Sequence, residues 1–381
     1  MSTRELSPTL VIGTGLVGAS VAHALTRAGL TVHLQDKVSS HAHVAASRGA
    51  GTTVPPVADE VRLVVVAVPP AALAKVIARA LQTYPHATVT DVGSVKGTVL
   101  GALRRTDADL SRYVGSHPMA GSQHVGPLTA DADLFIDRTW VITPHDTSAA
   151  HAVLDVQEVA ALCGARRVTM GAAHHDEAVA QVSHLPHLVS VLVAGRLTEV
   201  PAEHLRLAGQ GLRDVTRIAG SDPGLWQQII GANSAAVRTE LVAIQADLAE
   251  MIATLDSGRI ADLLERGRAG TRALPGKHGL NAISYAKVVV EIPDAPGALA
   301  RLFRDIEAAG VNVEDLSIDH DLEREVGWLS VQVAPERAEE LAAAMTGAGT
   351  AAQSTATRCG RLPSSPSSRA SSSSKLKGLG M

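Results

Sequence analysis

Thr9-Leu10-Val11-Ile12-Gly13-Thr14-Gly15-Leu16-Val17-Gly18, running on into the Ala-rich stretch Ala19 to Ala28, decides the fold. Four apolar or β-branched residues make a short buried strand, and the glycine spacing then turns the chain sharply into a helix. Gly13 allows the tight turn, Gly15 lets the backbone approach a pyrophosphate, and Gly18 lets helix pack on strand. Leu16 and Val17 open that helix, whose N-terminus faces the negative charge, and so join the cofactor-binding set. Asp36 ends the next strand, 21 residues after Gly15. A carboxylate there accepts hydrogen bonds from ribose hydroxyls and repels a 2′-phosphate, which favours NAD over NADP, with Lys37 beside it pulling the other way. Val64 to Val68, followed by Pro69 and Pro70, reads either as a strand whose end abuts the nicotinamide half or as an ordinary strand stop.

Outward from this unit, short apolar runs (Thr31 to Leu34, Leu63 to Val68, Thr88 to Thr90, Trp140 to Thr143) alternate with helical stretches. That pattern predicts an α/β fold, a Rossmann-type doubly wound parallel sheet, over residues 1–170. Over residues 171–270 strand signals vanish and Ala178, Val182, Leu185, Val189 and Leu192 fall at helical spacing, which predicts an all-α domain. Residues 271–283 read as a linker. Alternation returns in Val288, Val290 and Ile292 and predicts a small α+β domain over 284–350. A fourth strand is not legible there, because Thr350 to Arg358 is Ala-, Ser- and Thr-rich without apolar alternation. Nine of the last 31 residues are Ser, which predicts a disordered tail over 351–381.

Composition removes several classes of partner. With 34 Lys and Arg against 38 Asp and Glu, net charge −4, there is no basic field for nucleic acid or an anionic membrane. Three Trp, three Tyr and two Phe leave little surface for stacking bases and make each aromatic informative by position. Two cysteines build neither a disulfide framework nor a zinc site, which fits a reducing cytoplasm. The start of the chain does not read as a leader, and no uninterrupted apolar run approaches the roughly 18 residues of a membrane span.

Three segments carry candidate chemistry. Asp91-Val92-Gly93-Ser94-Val95-Lys96 follows a strand end, where Ser94 reads either as a site hydroxyl or as a helix cap. In Gly115-Ser116-His117-Pro118-Met119-Ala120-Gly121-Ser122, Gly and Pro hold a histidine in a loop, as a general base or as a plain surface imidazole. In the helical region Ser183, His184 and His187 share an arc of roughly 100° and predict a pocket wall. A metal site is the rival, with His174-His175-Asp176 upstream, but Pro186 interrupts the local helix and no familiar ligand set is completed, so no metal is expected. Asp222-Pro223 reads as an N-cap with Pro at the first helical position, which puts Trp226 in a first turn.

Together with Asp214-Val215-Thr216-Arg217-Ile218-Ala219, these motifs resemble the prephenate and arogenate dehydrogenases of tyrosine biosynthesis, over about residues 9–346. Pro293 to Ala300 is similar to the turn and helix start of an ACT regulatory domain. The resemblance implies an NAD-dependent oxidoreductase of aromatic amino acid biosynthesis, which oxidatively decarboxylates prephenate to 4-hydroxyphenylpyruvate. It implies that His117 takes the ring hydroxyl proton, that Ser94 orients the hydroxyl and the nicotinamide, and that Arg217 binds a substrate carboxylate, with Arg213 a substitute. Ser183, His184, His187 and Trp226 then border the substrate, with Trp226 otherwise core filling. It also implies a homodimer through interlocked helical domains and tyrosine as an effector. Six residues past His117 many members carry Glu where Gln123 stands here, which bears on arogenate, the alternative substrate. A non-catalytic NAD and amino-acid sensor is the reading from another class, and the set Ser94, His117 and Arg217 speaks against it.

Overall fold

The structure is a computed structural model that describes residues 6–120, 126–256, 259–274, 286–293, 295–313, 315–321, 326–347 and 351–355. The chain divides into two compact units, Met1–Ala253 and Thr254–Met381.

In the first unit β1 (Thr9–Ile12), β2 (Val32–Gln35), β3 (Leu63–Val66), β4 (Thr88–Asp91), β5 (Tyr113–Pro118), β6 (Thr139–Thr143) and β7 (Arg166–Thr169) form one sheet. Their order is β2-β1-β3-β4-β5-β6-β7. All of β3 is buried, as a strand covered on both faces must be. Alternate residues serve opposite cores: Val65 packs with α1 (Leu16–Arg27), α2 (Ser39–Ser47) and, further along the sheet, α5 (Ala150–Leu162). Val64 and Val66 pack with α3 (Pro70–Thr83) and α4 (Gly97–Leu103). The glycine turn therefore stands at the C-terminal edge of the central strands, where such sheets bind ligands.

Two strands depart from the expectation of a uniformly parallel sheet. β5 and β6 pair antiparallel, and β5 contains Ser116, His117 and Pro118, placed by sequence in a loop. It lacks an apolar signature because its residues answer to neighbours: a Cβ on Gly115 would meet Thr143 Oγ1 at 2.7 Å and the Tyr113 hydroxyl at 3.0 Å. Pro118 stands at the last pairing of the strand, opposite Trp140, where the ladder ends. β7 is an exposed edge strand, and Arg166 and Arg167 blunt it against further pairing.

The helical part begins with α6 (Ala172–Val179), a π-helical turn (Ala180–His184) and α7 (Leu185–Arg196) in one continuous run. Pro186 does not interrupt it. The proline sits in the first turn of α7, where the wider turn before it already displaces the ordinary backbone bonds. By length and composition alone, Ala172–Glu199 is also apolar enough to cross a membrane. It is not an uninterrupted apolar run: His184, His187 and Ser190 fall within it, and all three are buried. α8 (Ala202–Leu205), α9 (Gln210–Thr216), α10 (Pro223–Ala232) and α11 (Ser234–Thr254) follow.

The second unit holds α12 (Ile260–Ala273), which extends into the segment read as a linker; residues 275–285 lie outside the described residues. β8 (Ala286–Pro293), α13 (Ala298–Ala308), β9 (Asp315–Asp321), β10 (Val326–Val333), α14 (Ala338–Gly347) and β11 (Ala352–Thr355) complete it. The four strands make an antiparallel sheet of order β11-β8-β10-β9 around Val288, Val290, Leu302, Leu329, Val331 and Leu341. The fourth strand that could not be read in the sequence is therefore present, and it starts inside the segment taken as tail. Glu291 N donates to Ala351 O at 2.9 Å, and Gln353 pairs with Val289. At a sheet edge the ladder needs backbone groups rather than branched side chains, so the composition of β11 hides it. Beyond Thr355 the tail lies outside the described residues.

Candidate active site

The glycine turn is shaped by contacts that leave no room for side chains, except at one place. Gly13 has φ +96°, and a Cβ there would collide with the Ala67 carbonyl. A Cβ on Gly18 would strike the Gly13 carbonyl, as the packing of helix on strand requires. Gly15, the N-cap of α1, has nothing within 4 Å of an added Cβ. This open space lies where the amides opening α1, at Leu16, Val17 and Gly18, have no partner inside the helix. A pyrophosphate fits there. Asp36 follows β2 directly; its Oδ2 accepts from Thr14 N at 2.7 Å and Thr14 Oγ1 at 3.0 Å, and its Oδ1 from Val38 N at 2.8 Å. The carboxylate thus braces the turn and, with four acceptor sites, retains capacity for a ribose hydroxyl. Val68 reaches the turn from the other side, with Cγ1 3.2 Å from the position of a Gly13 Cβ, and Pro69 caps α3.

Beyond β4 the chain carries Ser94, half-buried and without a side-chain hydrogen bond among the described residues. It does not cap α4. That task falls to Asp176 of α6, whose Oδ1 accepts from Lys96 N and Oδ2 from Gly97 N, each at 2.8 Å. Beneath this turn Lys96 is 1% exposed and pairs with Asp91, 0% exposed. Tyr113 OH donates to Asp91 Oδ1 at 2.8 Å, and Lys96 Nζ donates to Ser116 O at 2.7 Å. The backbone just before His117 is therefore held by a buried ion pair.

His117 Nδ1 lies 2.9 Å from His175 Nε2, and His175 Nδ1 lies 2.9 Å from Asp176 Oδ1. Burial holds the His117 imidazole well below its ordinary value, with His175, Lys96 and His184 adding to the effect. Burial likewise pushes His184 down to about 4, against the pull of Asp176. Asn233 bridges the two parts, with Nδ2 2.7 Å from Asp176 O and 3.2 Å from His184 Nδ1. Trp226 is half-buried rather than core filling: its ring stacks on His187 at 3.5 Å and 4° and meets His184 edge-on at 6.1 Å. Asp222 caps α10 through Leu225 N at 2.6 Å, which places Trp226 in the first turn. The structure thus joins His117, His184, His187 and Trp226 into one cluster through His175 and Asn233. Ser183 is half-buried on the same helical run. Arg217 and Arg213 are exposed, and Arg217 opens a 3-10 turn packed on α7. Gln123 lies outside the described residues.

His175, Asp176, Lys96 and Asn233 were not singled out for this site from sequence. The pair His175-Asp176 showed only as a potential ligand group; among the described residues no three His, Cys, Asp or Glu side chains gather as a metal requires. Arg217 forms no ion pair among the described residues and is free for an anionic ligand. Replacing it with Ala is expected to raise KM for a carboxylate substrate roughly tenfold or more, as a charge-assisted contact of about 1.5–3 kcal/mol is lost. Steady-state kinetics checks this, and an unchanged KM assigns the role to Arg213 or another cation.

A glycine turn at the C-terminal edge of a doubly wound sheet, together with a histidine cluster shared with a helical segment, fits an NAD-dependent oxidoreductase, and the comparisons with known proteins agree. The sequence profile of the prephenate dehydrogenase nucleotide-binding domain matches residues 21–169, and that of its dimerisation domain matches residues 171–267. A probable prephenate dehydrogenase of Streptomyces niveus, NovF, is 34% identical over 87% of this chain and 95% of its own. A cyclohexadienyl dehydrogenase of Zymomonas mobilis is 32% identical over 71% of this chain and 97% of its own. The crystal structure of Aquifex aeolicus prephenate dehydrogenase in complex with hydroxyphenyl propionate and NAD+ superposes with TM-score 0.63. It is 26% identical and covers 69% of this chain and 95% of that one. The chain belongs to the prephenate dehydrogenase family.

Proposed function

We propose that the protein converts prephenate to 4-hydroxyphenylpyruvate and carbon dioxide with reduction of NAD. The observation that carries this is the half-buried His117 imidazole, hydrogen-bonded to His175 and with its pKa lowered by desolvation, in the same unit as the open glycine turn and the wall of His184, His187 and Trp226. NAD, which the glycine turn and Asp36 would hold, would supply the acceptor for the hydride on the ring carbon that bears the hydroxyl. His117 takes the hydroxyl proton as the carbon–oxygen double bond forms, which favours loss of the ring carboxylate and gain of aromaticity. Ser94 orients the hydroxyl. Arg217 holds a carboxylate, and the stacked His187 and Trp226, with His184 and Ser183, wall the ring and its side chain. Arogenate is the alternative substrate.

Exposed apolar side chains on the helical segment, among them Val182, Leu192, Val242 and Ile252, support a homodimer through that segment. Residues 1–170 form the cofactor domain in this reading and 171–270 the substrate and dimerisation domain. The second unit is an ACT-like domain in this reading, with tyrosine the effector that the resemblance implies, and a half-open groove of about 370 Å³ lined by Pro293, Ala295, Pro296, Gly297 and Gly327 is its candidate site. A cytoplasmic location accords with the free, buried Cys163.

NADH formation measured side by side with prephenate and arogenate tests the reading. Prephenate with NAD is expected to give the highest kcat/KM, and no NADH from either substrate sinks it. In the same assay Asp36 is expected to hold kcat/KM for NADP at least about tenfold below that for NAD, since a 2′-phosphate would meet its carboxylate. Preference for NADP would remove Asp36 from that role.

A further inference from the structure

The row His117, His175, Asp176 ends in a group whose chemistry dictates every proton along it. An ionised carboxylate only accepts hydrogen bonds, and both oxygens of Asp176 already receive backbone N–H groups, of Lys96 and Gly97. His175 Nδ1, 2.9 Å from Asp176 Oδ1, must therefore carry its hydrogen. A neutral imidazole with Nδ1–H has its lone pair on Nε2. That lone pair faces His117 Nδ1 at 2.9 Å, so His117 also carries its hydrogen on Nδ1. Its Nε2 is left as the basic nitrogen.

We propose that His175 and Asp176 are positioning residues for proton transfer: they lock His117 in the Nδ1–H tautomer with Nε2 free for the substrate hydroxyl, and they draw the arriving positive charge toward the Asp176 carboxylate. The proposal rests on His117 being the base. The step balances without a further reactant: the substrate O–H bond breaks, an N–H bond forms at His117 Nε2, and the hydride leaves the ring carbon for the nicotinamide. The other charged or titratable groups around His117 do not serve in its place. Lys96 is a cation already paired with Asp91, and His184 is turned to Asn233 and Trp226. The carboxylate at the end of the row is also fixed in place. Two amides hold it from one side, and Asn233 Nδ2 holds the Asp176 carbonyl from the other. His175 is 0% exposed, so its end of the link is shielded from solvent.

Gln can accept from His117 through Oε1 and donate to Asp176 through its NH₂, whereas Leu can do neither. The test therefore uses His175→Leu and His175→Gln in the full chain, each in the wild-type and the His117→Asn background. His175→Leu is expected to lower kcat roughly 10- to 100-fold, with KM for prephenate and Kd for NAD within about twofold of wild type. His175→Gln is expected to recover at least about fivefold of that loss. In the His117→Asn background either change should cost less than about twofold, because residues that act through one another are not additive. If His175→Leu fails to bind NAD, His175→Gln in the two backgrounds carries the comparison alone. The relay is overturned if Gln performs no better than Leu, or if the His175 losses multiply in full in the His117→Asn background. Wild-type turnover by His117→Asn itself overturns the assignment of the base, and the relay with it.

Discussion

Replacing His117 with Asn is expected to lower kcat by roughly 10²- to 10⁴-fold while the affinity for NAD changes by less than about twofold. The two effects separate because, in the function proposed above, the imidazole meets the reacting hydroxyl, whereas the glycine turn and Asp36 hold the dinucleotide. Asparagine retains a polar group of similar reach but cannot take a proton near neutral pH, so the proton-accepting step alone is removed. The pH profile gives a second handle. Burial, reinforced by His175, Lys96 and His184, lowers the His117 pKa well below 6.5, which leaves the base neutral at pH 7. A lowered pKa means that activity is fully present above it and is lost only as the pH falls through it. The acid limb of kcat/KM should therefore lie below pH 6.5 in the free enzyme and vanish in the variant. Undiminished turnover, or an acid limb above pH 7, would exclude His117 as the base.

The second large effect is expected in stability. Lys96→Met removes the ammonium that faces Asp91 and leaves a carboxylate that is 0% exposed with, among the described residues, only Tyr113 OH and Gly93 N as donors. Breaking a buried pair from one side costs about 3–5 kcal/mol, because the desolvated charge stays behind. For a unit of this size that lowers Tm by roughly 6–10 °C. Burial also pushes the Lys96 pKa down while Asp91 pulls it back, which shows how strongly the ammonium depends on its partner. Adding Asp91→Asn should restore at least about 1 kcal/mol, since the uncompensated charge goes. Thermal melts of the single and double variants check both statements, and a single variant as stable as wild type would show that Asp91 finds another partner.

What could be read from sequence was whatever rests on local pattern. The strand, turn and helix at Thr9 to Ala28, the acid at Asp36 and the cap at Asp222 are set by neighbours in the chain, and the structure places them as their spacing indicates. Features set by distant neighbours were hidden. β5 is a strand because β4 and β6 flank it, not because Gly115, Ser116 and Pro118 favour one. Asp176 caps a helix that begins 79 residues earlier, a link that no local motif announces. β11 shows the same in reverse: a four-residue strand of Ala, Gln, Ser and Thr pairs because β8 offers an edge.

The π-helical turn at Ala180–His184 has a consequence for helical phase. His175 and His187 are twelve residues apart, which in an unbroken α-helix sets them roughly 120° apart around the axis. One extra residue wound into a π-turn takes about 100° out of that difference and leaves roughly 20°. The imidazole that faces His117 and the imidazole that stacks on Trp226 thereby come onto one face of a helix whose plain repeat would part them. The turn is where this segment absorbs its odd residue: deleting one there, even exposed Val182, would leave a plain α-helix with the two imidazoles again roughly 20° apart, whereas one further residue with no second π-turn to take it up would set the aromatic wall roughly 100° out of phase.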